Sequence, residues 1–105
     1  MKGFQITFFT QQNRRHGHLL VHEWLLQLSK TLDIKGATVT TGAEGIGHTG
    51  KVHSAHFFEL ADQPVEVTMV VSESQCAILF ERLEKEHADL FYSKSPVEFG
   101  RVGAP

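Results

Sequence analysis

β-branched and aromatic residues are concentrated in four short runs of the chain, and each run predicts a strand. The runs occupy residues 3–10 (GFQITFFT), 37–42 (ATVTTG), 64–72 (PVEVTMVVS) and 90–93, and Pro96 interrupts the last of them. In the third run, alternate positions place four apolar side chains on one face: Val65, Val67, Met69 and Val71. This period of two is typical of a strand with one buried face.

Two segments between these runs show helical spacing instead. Residues 19–32 carry an apolar stripe at steps of four, with Leu25 beside it: Leu20, Trp24, Leu28 and Leu32. Gly36 ends this region, since glycine permits a left-handed turn after a helix. The second helix begins at Ser72, which forms with Gln75 the S-x-x-Q pattern of a capping box. Its stripe predicted to face the core is Cys76, Leu79, Phe80 and Leu83.

The order of these elements, β-α-β-β-α-β, predicts an α+β fold of the ferredoxin-like type. In this arrangement a four-stranded antiparallel sheet carries both helices on one face. The 105 residues form a single domain (1–105), which is an ordinary size for one hydrophobic core. Because the helices leave the other face of the sheet uncovered, we expect the chain to form an oligomer.

Charge and cysteine content exclude several classes of function. The net charge is −2 with histidine neutral, so no overall basic field favours nucleic acid or an anionic membrane. The single cysteine, Cys76, lies on an apolar stripe, which predicts an inert buried thiol. No segment has the pattern of a signal peptide or a membrane span, so we expect a cytoplasmic protein without direct membrane insertion. No nucleophile and base are paired, so we predict that the chain is not an enzyme.

The basic segment NRRHGH, residues 13–18, joins the first strand to the first helix and is a candidate anion site. Backbone amides at a helix N-terminus, together with Arg14 and Arg15, suit an oxyanion. The alternative is a solvated polar turn whose arginines reach acids on a neighbouring subunit.

Histidines suggest a different chemistry. His18 and His22 are separated by four residues, so they share a helical face if the helix includes both, and such a pair can hold a divalent transition metal. His48, His53 and His56 follow in the loop after the second strand. The alternative is that these are surface or interface histidines with ordinary hydrogen bonds.

Three stretches of the chain closely resemble a known family. They are ITFFTQQNRRHGHLLVHEWL, IKGATVTTGAEGIGHTGKVHSA and DQPVEVTMVVS, and the similarity extends over residues 3–90. The family is the PII-like domain of unknown function 190, which is similar to nitrogen regulatory PII and CutA-like proteins. The resemblance implies a homotrimer of ferredoxin-like subunits. It also implies that residues 42–56 correspond to the T-loop of PII proteins, which contacts protein partners.

The resemblance further implies ligand contacts in clefts between subunits. Gly36 and Thr38 match the G-x-T that flanks a nucleotide base and ribose, and Gly45 and Gly47 match the G-x-G that lets backbone amides approach phosphate. The segment before the last strand departs from PII proteins, because EKEHADLFYSKSP has no glycine and carries several carboxylates. Those carboxylates repel phosphate, so we expect an adenine ligand smaller or less charged than ATP, or a small anion.

These observations lead to a first hypothesis, in which a PII-like signalling protein binds a small ligand between subunits. Its 42–56 loop then regulates a protein partner, such as a membrane transporter or an enzyme. The predicted ligand-binding residues are Gly36, Thr38, Gly45, Gly47, Lys51, Arg14, Arg15, His16 and Arg101. The alternative is a metal-binding or metal-responsive CutA-like trimer that uses His18 and His22. A third hypothesis is an interaction subunit without a ligand. The sequence leaves open whether residues 96–105 form a swapped strand or a tail.

Overall fold

The computed structural model of the chain describes residues 1–41, 44–46, 52–54 and 63–103. Its elements are β1 (Lys2–Gln11), β2 (Arg15–His16), β3 (Leu19–Leu20), α1 (Val21–Thr31), β4 (Gly36–Thr41), β5 (Glu44–Ile46), β6 (Val52–Ser54), β7 (Pro64–Ser72), α2 (Glu73–Lys85) and β8 (Phe91–Glu98). Four strands form an antiparallel sheet in the order β4-β7-β1-β8. This order, with one helix after β1 and one after β7, confirms the predicted ferredoxin-like fold.

Both helices pack on the same face of the sheet, and the core lies between them and the two central strands, β1 and β7. The largest fully buried side chains come from these four elements: Ile6, Phe8, Val65, Val67, Met69, Val71, Leu25 and Leu79. The predicted period of two in residues 64–72 is therefore confirmed, since every odd-numbered residue from Val65 to Val71 is buried. No helix in the described part of the chain is long and apolar enough to span a membrane.

The capping box predicted at the start of α2 is present and also fixes the end of α1. Ser72 Oγ accepts a hydrogen bond from the Gln75 amide (3.1 Å), and Gln75 Oε1 accepts one from the Ser72 amide (2.9 Å). The Gln75 Nε2 group then donates to the carbonyl of Asp33 at 3.0 Å, just beyond α1. One side chain therefore satisfies backbone groups at two helix ends.

Three predicted features of the chain path were wrong. Helix α1 begins at Val21 rather than at residue 19, because Leu19 and Leu20 pair with the preceding segment as β3. The left-handed residue after α1 is Asp33 (φ 58°), whereas Gly36 opens β4. The last strand continues through Pro96, which lies opposite Phe4. Proline is tolerated there because β8 is an edge strand and one side of its backbone needs no partner.

The face of the sheet away from the helices is largely polar. Thr38, Thr68, Thr7 and Ser93 lie side by side across β4, β7, β1 and β8. The Thr7 and Thr68 hydroxyls are hydrogen-bonded at 3.0 Å. One aromatic pair interrupts this polar surface, because Phe9 and Phe91 are opposite each other with ring centroids 5.5 Å apart. No helix covers this face in the described residues.

Two glycines give a direct test of this packing. A Cβ atom on Gly3 would lie 1.9 Å from the Val71 carbonyl oxygen, whereas a Cβ on Gly36 would meet Val70 Cβ at 3.5 Å, an ordinary contact. We therefore expect Gly3→Ala to lower the free energy of unfolding by about 3 kcal/mol. Gly36→Ala, the matched control, should change it by less than about 0.5 kcal/mol. Urea denaturation measures both values, and equal values for the two variants would contradict the described register.

Candidate functional site

The basic segment after β1 is a β-hairpin that leads directly into α1. Arg15 pairs with Leu20 and His16 with Leu19, so that Gly17 and His18 form the two-residue turn. Gly17 has φ +62°, and glycine at the first turn position is a preference of tight hairpins. The Gln12 amide donates to the Gln63 carbonyl at 2.9 Å. The hairpin therefore starts beside the point where the chain returns from the loop after β4.

His16 is held on two sides. Its imidazole stacks on the indole of Trp24 in α1, with centroids 3.8 Å apart and an interplanar angle of 20°. Its Nε2 lies 3.2 Å from Oε1 of Glu86, just past the C-terminal end of α2. Because an ionised carboxylate only accepts hydrogen bonds, this contact places the proton on Nε2. His16 thus joins the hairpin to both helices.

Glu86 also forms an ion pair within its own helical turn. Arg82 Nε donates to Glu86 Oε2 at 2.6 Å, across one turn of α2. The hydrogen bond from Arg82, and after it the one from His16, hold the pKa of the Glu86 carboxyl below its ordinary value of 4.5. Donors from two different elements therefore stabilise the ionised carboxylate.

The two arginines predicted as anion contacts bind backbone carbonyls of their own chain. Arg14 donates from its guanidinium to the Asp89 carbonyl at 2.7 Å, and Arg15 donates to the His18 carbonyl at 3.1 Å. The predicted helix N-terminus is also partly occupied, because the Val21 amide donates to the Arg14 carbonyl at 2.8 Å. The contact of Arg14 with Asp89 brings the hairpin against the first part of residues 84–96, the segment that departs from PII proteins.

Three of the other predicted ligand residues belong to the two edge strands of the sheet or follow them. Gly36 and Thr38 are on β4, one edge strand, whereas Arg101 follows β8, the other edge strand. Three strand spacings, about 14 Å, separate these edge strands. Gly45 lies in β5 opposite His53 of β6. Gly47 and Lys51 lie outside the described residues.

The histidine pair does not meet the condition on which the metal prediction depended. Because α1 begins at Val21, His18 lies in the exposed hairpin turn, and only His22 is helical. Among the residues that the structure describes, no three histidine, cysteine or carboxylate side chains are grouped to hold a metal ion. His48 and His56 lie outside the described residues. Cys76 is buried, as predicted from its place on the apolar stripe.

Sequence reasoning missed Trp24, Arg82 and Glu86 as parts of one cluster with His16. Trp24 was read only as a core residue, and it is partly buried against the core as well as stacked on His16. His16 and Glu86 are 70 positions apart, so no local spacing links them. The one available signal was the pair Arg82 and Glu86, whose separation of four residues is typical of an ion pair on a helix.

Comparisons with known proteins agree on the family and the fold. The sequence profile of the DUF190 family, described as uncharacterized ACR, COG1993, matches residues 3–98. Among solved structures, this chain is similar to CPII of Thiomonas intermedia K12, a nitrogen regulatory PII-like protein bound to ADP, AMP and bicarbonate. That match has a TM-score of 0.70 and 17% identity, and covers 96% of this chain and 91% of CPII.

A second similar structure is that of a Thermus thermophilus protein assigned to PII-like signalling. Its TM-score is 0.66 at 18% identity, with 91% of this chain and 87% of that chain covered. No curated protein sequence matches this chain. At these identities the structural likeness shows the fold, and it confirms the resemblance to PII-like proteins drawn from the sequence motifs.

The lowered pKa of Glu86 predicts a specific pH dependence of stability. A carboxyl group with a folded-state pKa below its ordinary 4.5 stabilises the fold above that pH and loses this contribution as the pH falls through the folded value. We expect Glu86→Gln to lower the melting temperature near pH 7, with the difference from wild type shrinking below about pH 4.5. Calorimetry across this range measures it.

The control for this experiment is Glu84→Gln. Glu84 lies on the same helix and forms no ion pair with another described residue, so its replacement should leave the melting temperature nearly unchanged at every pH. A difference between wild type and Glu86→Gln that stays constant from neutral to acidic pH would contradict the assigned role of the Glu86 carboxylate.

Proposed function

The chain belongs to the DUF190 family, and from this membership we propose that it is a PII-like regulatory protein that binds a small ligand between the subunits of a homotrimer. The ligand is an adenine nucleotide or a small anion. Its binding controls the segment at residues 42–56, which engages a protein partner such as a membrane transporter or an enzyme. In this proposal the protein acts in the cytoplasm by binding, not by catalysis.

The placement of the predicted ligand residues carries this proposal. Gly36 and Thr38 lie on β4, one edge strand of the sheet, and Arg101 follows the other edge strand, β8, by three residues. Because two further strands separate these edge strands within one chain, we propose that the site forms where β4 of one copy meets the segment after β8 of another. A cleft between subunits satisfies this requirement, and CPII, whose fold is similar, binds ADP, AMP and bicarbonate.

The uncovered face of the sheet supports a subunit interface. Phe91 is 65% exposed in the single chain and lies with Phe9 on the face opposite the helices. Exposed aromatic side chains of this kind are enriched at subunit interfaces, where their burial stabilises association. Beside this pair lies the row of hydroxyl side chains described above, which can form hydrogen bonds across such an interface: Thr38, Thr68, Thr7 and Ser93.

The local charge favours a ligand that carries less charge than ATP. The segment 86–90 contains no glycine, and His87 adopts the left-handed conformation there (φ 55°). The Glu86 carboxylate already accepts hydrogen bonds from His16 and Arg82. A triphosphate bound near this segment would be repelled by this negative charge, whereas AMP or bicarbonate carries fewer charges.

Thr38 offers a test of ligand binding that leaves the fold intact. We expect Thr38→Val to weaken AMP or ADP binding about fivefold, because it removes one hydrogen bond worth about 1 kcal/mol. Valine keeps the β-branched shape that suits an edge strand. Thr40→Val is the matched control on the same strand and face, and it should bind like wild type. Equal affinities for both variants in titration calorimetry would contradict the assignment of Thr38.

Phe91 offers a test of the trimer. We expect Phe91→Asp to give a monomer in light scattering after gel filtration, since it places a charge in the proposed interface. Ile78→Asp is the control, because Ile78 is also exposed (52%) but lies on α2, in the helix layer. That variant should remain a trimer. A trimeric Phe91→Asp protein would show that the open face of the sheet is not the interface.

A further inference from the structure

The Glu86 carboxylate is bound in this structure as an anionic ligand would be. Its two oxygens are held by different elements: Oε2 by the Arg82 guanidinium of α2 at 2.6 Å, and Oε1 by the His16 imidazole of the hairpin at 3.2 Å. Charge-assisted contacts from two sides to two oxygens of one planar group are the way in which proteins bind carboxylates and phosphates. These donors are therefore suited to an oxyanion.

The His16 donor is preorganised independently of Glu86. The indole of Trp24 fixes the plane of the imidazole, and the hairpin that carries His16 is closed by its own backbone pairs. Arg14, two residues before His16, donates to the Asp89 carbonyl and so holds the hairpin against the segment that follows α2. Loss of the Glu86 charge would thus leave the His16 donor in place.

We infer that His16 and Arg82 form an oxyanion-binding site at the C-terminal end of α2, and that Glu86 occupies this site with its own carboxylate. A phosphate group or bicarbonate presents the same acceptor oxygens and competes with Glu86 for these donors. This inference rests on the proposed function, because it adds a further binding site and a means of regulation to the same ligand-binding protein. Glu86 sets the ligand concentration at which the site responds.

Displacement of Glu86 has a mechanical consequence. The carboxylate connects the hairpin, through His16, to the last turn of α2. The hairpin in turn begins beside Gln63, where the chain returns from the loop after β4. An oxyanion that replaces Glu86 occupies the same donors but breaks the link between the hairpin and the last turn of α2. Binding at α2 therefore affects the contact between the hairpin and Gln63, at the base of the loop.

The test compares wild type with Glu86→Gln by titration calorimetry of the full chain, with sodium phosphate, sodium bicarbonate and AMP as separate ligands at constant ionic strength. We expect Glu86→Gln to bind at least one of these ligands at least tenfold more tightly than wild type does, which is equivalent to about 1.4 kcal/mol. Glu84→Gln should show no gain, and the double variant Arg82→Gln/Glu86→Gln should lose it. Trp24 is the single tryptophan, so its fluorescence reports the environment of His16 during the same titrations.

The three ligands distinguish a free oxyanion from the phosphate group of a nucleotide. A gain for phosphate or bicarbonate identifies a free oxyanion as the ligand, and a gain for AMP alone identifies the phosphate group of a nucleotide. Glu86→Ala serves as the second variant if Glu86→Gln does not fold, with the same expected direction. Lower thermal stability without any gain in affinity would overturn the inference, because it is the result expected of a purely structural ion pair.

The same titrations separate this inference from the proposed function. If wild type and Glu86→Gln bind AMP with equal affinity, and Glu86→Gln binds phosphate and bicarbonate no more tightly than wild type does, the inference that Glu86 occupies an oxyanion site fails. The nucleotide-binding proposal then stands. If none of the variants binds any of the three ligands as a folded trimer, both fail.

Discussion

In the part of the chain that the structure describes, helices cover only one face of the sheet, and the proposed assembly depends on this constraint. The two helices and the central strands β1 and β7 bury one continuous core. The opposite face carries hydroxyl side chains and the exposed Phe91, which contacts the half-buried Phe9. Burial of such a face against further copies of the chain is the simplest way to complete a small domain.

A second set of contacts organises the end of the molecule where the loop after β4 returns. His16 connects the hairpin to Trp24 of α1 and, through Glu86, to the last turn of α2. Arg14 attaches the same hairpin to the Asp89 carbonyl. Glu86 and His16 remain about one third exposed. Such partly exposed pairs contribute only modestly to stability and are accessible to competing ligands.

Much of the fold could be predicted from the sequence because its signals are local. The period of two in β7 and the capping box at Ser72 depend only on neighbouring residues, and both were confirmed. The hairpin was missed because strands of two residues leave no periodicity to detect. The path through Pro96 was missed because only the completed sheet shows that β8 is an edge. The left-handed turn was assigned to Gly36, although Asp33 can adopt the same conformation.

The candidate site was less predictable, since its parts come from distant segments. His16 was named as an anion contact, but its stacking on Trp24 and its bond to Glu86 join three elements that no spacing rule connects. The family resemblance supplied Gly36 and Thr38 by matching motifs. It could not show that Arg101 follows the opposite edge strand, which is known only from the strand order.

The central claim is that ligand binding and assembly use the same surfaces, and native mass spectrometry tests it most directly. Spectra of the full chain would be recorded without ligand and with added AMP, ADP or bicarbonate. The account predicts an assembly of three chains that takes up as many as three copies of at least one of these ligands. A single chain that binds AMP or ADP, or a three-chain assembly that binds none of the ligands, would contradict it.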